Sequence, residues 1–240
     1  MGSATTLRSI ILLLSIFFAH IIYAQGVYAH ECVVLLHGYL RSAKCMQPIA
    51  KILEDKGYKV QNLSYSSTDY SIQTISREHV APKIEHTDCE KIHFIGHSMG
   101  GIVIRYYLSE NKLPNLGNVI FITVPNRGSE LVSSIENNRS FTWTLIGPAV
   151  RELSPTSPIL LNMPEPHYRA GIITASKSVN PVTSLFLLEG PNDGTLTIES
   201  MKLKNIADLI DFNATHTTVL THLEIGDKIA SFLKYGRFIK

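Results

Sequence analysis

Gly96-His-Ser-Met-Gly100 lies between Lys91-Ile-His-Phe-Ile95, which reads as a buried strand, and a stretch of helical spacing from Met99 to Glu110. A strand-to-helix turn of this kind is sharp, and glycines two places before and after its centre leave space for it. The central Ser98 is thereby lifted to the top of the sheet, where the first amides of the new helix also point. As bare letters, Gly-X-Ser-X-Gly occurs by chance roughly 0.1 times in a chain of this length. The strand, turn and helix around it give it weight, and a chance turn is the alternative. The chemistry that suits this placement is attack by a hydroxyl. It needs a base to take the proton and an acid to hold that base in the right tautomer.

The acid and base are expected just beyond later strands. After Ser184-Leu-Phe-Leu-Leu-Glu189 comes Gly190-Pro-Asn-Asp-Gly194, which puts Asp193 on a tight turn; after Asp208-Leu-Ile-Asp-Phe212 comes Asn213-Ala-Thr-His216. Ser98, Asp193 and His216 are therefore the candidate catalytic residues. Asn-Asp-Gly is also a common turn former. Asp208 and Asp211 are rival acids, but they lie within a strand and not at its end. His222 is the rival base, further on toward the last helix, while His93 and His97 flank Ser98 as packing residues and His20 falls in the amino-terminal segment. An attacked carbonyl becomes an oxyanion, which must find preorganised N–H donors. The backbone N–H of Met99 is one. The other is the N–H of Tyr39, in the loop His37-Gly38-Tyr39, where glycine lets the backbone approach closely; a plain turn is the alternative reading of His37-Gly38.

Positioning these groups requires a parallel sheet. Cys32-Val-Val-Leu-Leu36 is a continuous apolar run, as expected of a strand buried on both faces. Ala43 to Lys56 carries apolar residues at helical spacing and stops at Gly57, and Tyr58 to Tyr65 looks extended. Ser71 to Val80 reads as a helix interrupted at Pro82. Asn118 to Val124, Ile172 to Ala175, Ser184 to Glu189 and Asp208 to Phe212 are further strands, and Ile225 to Leu233 is a closing amphipathic helix. This alternation means an α/β domain with helices on both faces of a mostly parallel central sheet. Residues 129–169 break the rhythm and form a cap-like insertion, or else a plain helix and surface loop. Within it Phe141, Trp143 and Leu145, with Ile146 and Leu160-Leu161, offer a wall for an apolar substrate or simply seal the core.

The 240 residues carry 22 Lys+Arg and 20 Asp+Glu, so no excess of charge points to nucleic acid; Lys202-Leu-Lys204 is the longest cationic cluster and reads as solvated surface. A hydrophobic content of 45% with 15 Gly and 11 Pro fits a globular domain and excludes a disordered, collagen-like or coiled-coil chain. Arg8 precedes an apolar run from Ile10 to Tyr23 that is short for a bilayer span. Residues 1–24 are read as a signal peptide with cleavage after Ala24, leaving 25–240 as one domain; an uncleaved membrane anchor and a buried helix are the alternatives. The protein is then exported, to the periplasm or beyond. Cys32, Cys45 and Cys89 would meet an oxidising compartment. If the strands beside Cys32 and Cys89 are neighbours, these two can bridge; three buried thiols is the other reading. Asn62, Asn138 and Asn213 head glycosylation sequons, and the position of Asn213 beside His216 favours a bacterial exported protein.

Val34-Leu-Leu-His-Gly-Tyr39, Gly96-His-Ser-Met-Gly-Gly101, Asn192-Asp-Gly194 and His216 together resemble the α/β-hydrolase superfamily, in particular its small bacterial lipases and esterases, over about Cys32 to Phe238. Thr123-Val-Pro-Asn-Arg-Gly-Ser129 is similar to the loop that leads into the cap of lipase relatives. The resemblance implies an eight-stranded, mostly parallel sheet, the Ser98/Asp193/His216 triad in the order Ser, acid, His, and hydrolysis of acyl esters. It also implies adjacent strands ending at Leu36 and Ile95. The expected substrate is a lipid or small apolar ester, with transient contact to a membrane or lipid surface. No cofactor is expected, and no carboxylate cluster offers a metal site. Acyl transfer, and a non-catalytic lipid- or partner-binding module on the same scaffold, are the competing functions.

Overall fold

The computed structural model describes residues 31–138, 145–179 and 187–239. The expected signal peptide, Phe141, Trp143 and the first half of the Ser184–Glu189 strand lie outside them. Six strands form one all-parallel sheet in the order β2-β1-β3-β4-β5-β6. They are β1 (Glu31–Leu36), β2 (Lys59–Leu63), β3 (Lys91–His97), β4 (Leu116–Ile122), β5 (Ala170–Ala175) and β6 (Asp208–Phe212). The resemblance implies eight strands, and six are present among the described residues. Leu187–Glu189 is not in a strand.

Each central strand is apolar throughout because both of its faces are covered. Along β1, Val34 and Leu36 point into one core and Val33 and Leu35 into the other. The first core also takes Phe94 and Phe121 and is closed by α2 (Ile72–Glu85) and by α3 (Met99–Glu110); the second takes Ile95 and Ile120 and is closed by α1 (Gln47–Asp55) and the last helix (Ile225–Tyr235). The alternation of strand side chains splits one apolar run between two layers of helix.

Here α2 is three abutting pieces, Ile72–Thr74, a π-helical Ile75–Val80 and Ala81–Glu85. The expected interruption at Pro82 is therefore corrected, because the helix continues through it. A proline is tolerated in the first turn of a helical piece, where its missing N–H is not needed, and the wide π turn just upstream lets the chain restart there. The 129–169 insertion begins with α4 (Glu130–Asn137), capped by Ser129, and continues with single helical turns at Pro148–Arg151 and Pro158–Leu161 that each start on proline. Glu152 ties it to the body by accepting from the Ile72 N–H at 2.7 Å.

Parallel pairing sets Cys32 opposite Ile92, three residues after Cys89. Cys32 and Cys89 form a disulfide with Cα atoms 5.9 Å apart, and Cys45 is free. Protein denatured without reductant should therefore titrate a single thiol. The Cys32→Ser/Cys89→Ser variant should lose about 4 kcal/mol of unfolding free energy in urea, the loop-closure value for a loop of 57 residues. Three titratable thiols would refute the pairing.

Candidate active site

β3 delivers Ser98 at its carboxyl end with φ 53° and ψ −129°, a left-handed conformation that a residue with a β-carbon rarely adopts. The turn is held from both sides, since the Ser98 N–H donates to Ile122 O at 3.0 Å and the Ser98 carbonyl accepts from the Gly101 N–H at 3.0 Å. No side chain fits at the flanking glycines. A β-carbon on Gly96 would stand 2.5 Å from Gly101 N, and one on Gly100 would collide with the carbonyl oxygens of Leu36 and His37.

Three of the predicted residues form one hydrogen-bonded chain. His216 Nε2 is 3.0 Å from Ser98 Oγ, and His216 Nδ1 is 2.6 Å from Asp193 Oδ2. Asp193 is 2% exposed, and its second oxygen, Oδ1, accepts from the N–H groups of Thr195 (2.8 Å) and Leu196 (2.7 Å). A carboxylate oxygen facing the ring accepts only, so Nδ1 carries the proton and Nε2 presents a lone pair to the serine. The Asp193 carbonyl also accepts from the His216 backbone N–H at 3.1 Å, which joins the two loops through main chain as well as side chain.

The rivals are occupied elsewhere. Asp208 accepts from the Phe238 N–H at 2.8 Å, and Asp211 accepts from Thr174 Oγ1 (2.7 Å) and Ser176 Oγ (2.6 Å). The His222 ring lies against Phe212, and His93 is buried between Glu31 and the Asn118 N–H. Leu145 is 67% exposed, whereas Ile146 and Leu160 pack on the core beneath.

Met99 is the first residue of α3, so its N–H has no partner inside the helix. The β1 loop passes close to the serine: a β-carbon on Gly38 would stand 2.9 Å from Ser98 Cβ. His37 Nε2 accepts from the Tyr65 N–H at 3.4 Å, which leaves Nδ1 with the proton, 2.9 Å from Gly38 O. That carbonyl shares a planar peptide with the Tyr39 N–H, so fixing one direction fixes the opposite one. Tyr65 completes the clamp by donating its hydroxyl to His37 O and stacking on the His37 ring at 4.2 Å. The sequence reading missed Tyr65, which looks there like no more than the end of an extended run. It also missed Arg105, a buried guanidinium that donates to Asn126 O (2.9 Å) and Pro164 O (3.3 Å) and so joins α3 to the segment just before the insertion and to the insertion's last part.

No protein-family model matches the chain, and no curated protein is significantly similar to it in sequence. Its fold, by contrast, is shared with several solved hydrolases. The mature form of Bacillus licheniformis lipase BlEst2 is 18% identical, with 88% of this chain and 93% of that one covered at a TM-score of 0.64. Phospholipase PlaB from Legionella pneumophila is 16% identical over 86% of this chain and 59% of that one, at 0.63. A pyrethroid hydrolase from Sphingobium faniae JZ-2 is 15% identical over 85% and 98%, at 0.54. The chain has the α/β-hydrolase fold.

Burial lowers the proton affinity of His37 and His93, and burial together with the neighbouring His216 pushes the pKa of His97 down to about 3. These rings are neutral in the fold but take up protons in the ordinary histidine range when unfolded. The unfolded state therefore binds more protons, and stability is lost as pH falls through that range and, for His97, on toward about pH 3. The urea midpoint should be lower at pH 4.5 than at pH 7, with a shallower dependence in His97→Gln. A midpoint that rises on acidification would refute this.

Proposed function

We propose that the chain is an exported serine hydrolase that cleaves carboxylic esters through an acyl-enzyme. The observation that carries this reading is the continuous hydrogen-bonded chain from Ser98 through His216 to Asp193. In the proposed mechanism Ser98 Oγ attacks the ester carbonyl carbon while its proton passes to His216 Nε2. Asp193 steadies the imidazolium through Nδ1–H. The N–H groups of Met99 and Tyr39 receive the oxyanion, the intermediate collapses, and His216 returns the proton to the departing alkoxide. Water, deprotonated by the same nitrogen, then releases the acid and restores Ser98.

Apolar acyl groups are the favoured substrates. The shared fold includes a lipase and a phospholipase. Leu40, next to Tyr39, is 69% exposed, and Leu223, in the segment after His216, is 97% exposed. Apolar side chains left in water at the loops that carry the site are what an apolar ester or a lipid surface would cover. Residues 129–169 act in this reading as a short cap, with Phe141, Trp143 and Leu145 contributing to the acyl wall. The Cys32–Cys89 disulfide supports export to the periplasm or beyond, since such bonds persist in oxidising compartments.

The test is hydrolysis of p-nitrophenyl butyrate and palmitate by the wild type and by Ser98→Ala. The wild type should turn over at least one ester and react with a fluorophosphonate at Ser98. Ser98→Ala should lose about 10⁶-fold in kcat and Asp193→Asn about 10⁴-fold. Failure of the fluorophosphonate to label Ser98 would refute the reading, and the two esters together separate a short-chain esterase from a lipase.

A further inference from the structure

The sequence suggests no more than a packing role for His97, yet the surroundings of its ring are too specific for that. The ring is 2% exposed and sits 5.1 Å from the His216 ring, tilted by 48°. Its Nε2 is 2.9 Å from the backbone carbonyl oxygen of His216. A carbonyl only accepts, so Nε2 carries the proton and donates. Nδ1 is buried with no hydrogen-bond partner among the described residues, and it faces the β1 loop, 3.3 Å from where a β-carbon on Gly38 would lie. One imidazole is thus wedged between the serine turn, the loop that carries Tyr39 and the loop that carries His216.

We propose that His97 is a positioning residue, which locks the His216 loop onto the serine turn by donating Nε2–H to the His216 carbonyl. The proposal rests on the reading of Ser98 and His216 as nucleophile and base. The His216 backbone is gripped on both sides, its N–H by Asp193 O at 3.1 Å and its C=O by His97. With both sides fixed, the imidazole can turn only about its own side-chain torsions, and its two ring contacts to Ser98 and Asp193 settle those. Because His97 directly precedes Ser98, a displacement of the serine turn carries the base along with it. The reacting pair then stays in register although it comes from loops 118 residues apart.

A purely structural histidine would be replaceable by any side chain that fills its space. A neutral ring suits the task better than a charged one, because a cation here would oppose the imidazolium that His216 becomes during reaction. Burial and the adjacent His216 keep the ring neutral, with smaller contributions from Arg41 and His37.

The experiment compares His97→Leu, which fills the space without a donor, with His97→Gln, whose amide N–H can stand where Nε2–H stands. The kcat for p-nitrophenyl butyrate should fall about 10–100-fold in His97→Leu with KM changed less than about threefold, and His97→Gln should recover to within about fivefold of wild type. The second readout needs no turnover. The low-field ¹H resonance of the proton shared by His216 Nδ1 and Asp193 should be sharp in the wild type and His97→Gln and broadened by exchange in His97→Leu. If His97→Leu does not fold, His97→Asn replaces it, since its amide nitrogen stands at the Nδ1 position and misses the carbonyl. The proposal is overturned if the donor-less variant keeps both kcat and the low-field proton, or if His97→Gln is as impaired as His97→Leu in both. An inactive wild type whose low-field proton still responds as expected would remove the esterase reading and leave the positioning role standing.

Discussion

Ser98 must hold a positive φ that a residue with a side chain adopts only at a cost of roughly 1–3 kcal/mol, and much of the surrounding structure serves to keep it there. β3 is an interior strand, paired with β1 on one side and β4 on the other, so its end cannot drift. The Ser98 amide is tied to β4, and α3 starts at once behind it. Gly96, Gly100 and Gly101 bring backbone against backbone or against Val124 where no β-carbon would fit. An all-parallel sheet places the loops after β1, β3 and β6 at one edge, which is how Gly38, Ser98 and His216 come together although they are far apart in sequence.

This arrangement also explains how much could be read from the residues alone. Strands buried on both faces appear as unbroken apolar runs, so β1, β3 and β4 are visible, and the chemical residues are found by looking just past the end of each run. His216 was legible because it lies just past β6, an alternating edge strand, and Asp193 because it stands on a turn after an apolar run whose described end, Leu187–Glu189, is not in a strand. Pro82 misled because proline signals a break locally, while the π turn that accommodates it depends on packing of α2 against α3. His97 and the His37–Tyr65 clamp were illegible for a different reason. A buried histidine that donates across the fold and one that merely fills space have the same letter and the same neighbours in sequence, and only the position of a distant carbonyl separates them.

Arg105 shows how polar groups act as joints in this fold. Its guanidinium is buried against carbonyl acceptors, and among the described residues its Nε has no partner. Burial lowers its proton affinity, so the fold holds a charge at some expense. What it obtains is a link from α3, the helix that begins at the serine, to Asn126 just before the 129–169 insertion and to Pro164 in its last part. Asn126 extends the link by donating its amide to Met201 O at 2.6 Å. The insertion is thereby referenced to the helix whose first amide faces the reacting centre.

The Cys32–Cys89 bond sits at the amino ends of β1 and β3, across the sheet from the reacting edge. Pairing these two strands requires the chain to close over β2, α1 and α2, and long-range parallel pairing of this kind is slow to form. Once the bond exists, the two central strands are held at one end for every later attempt at closure. The search then becomes one of zipping from a fixed point toward Ser98. Oxidation thus keeps the two strands that lead to Gly38 and Ser98 joined at their amino ends even in the unfolded chain, which has fewer conformations to lose when the sheet forms.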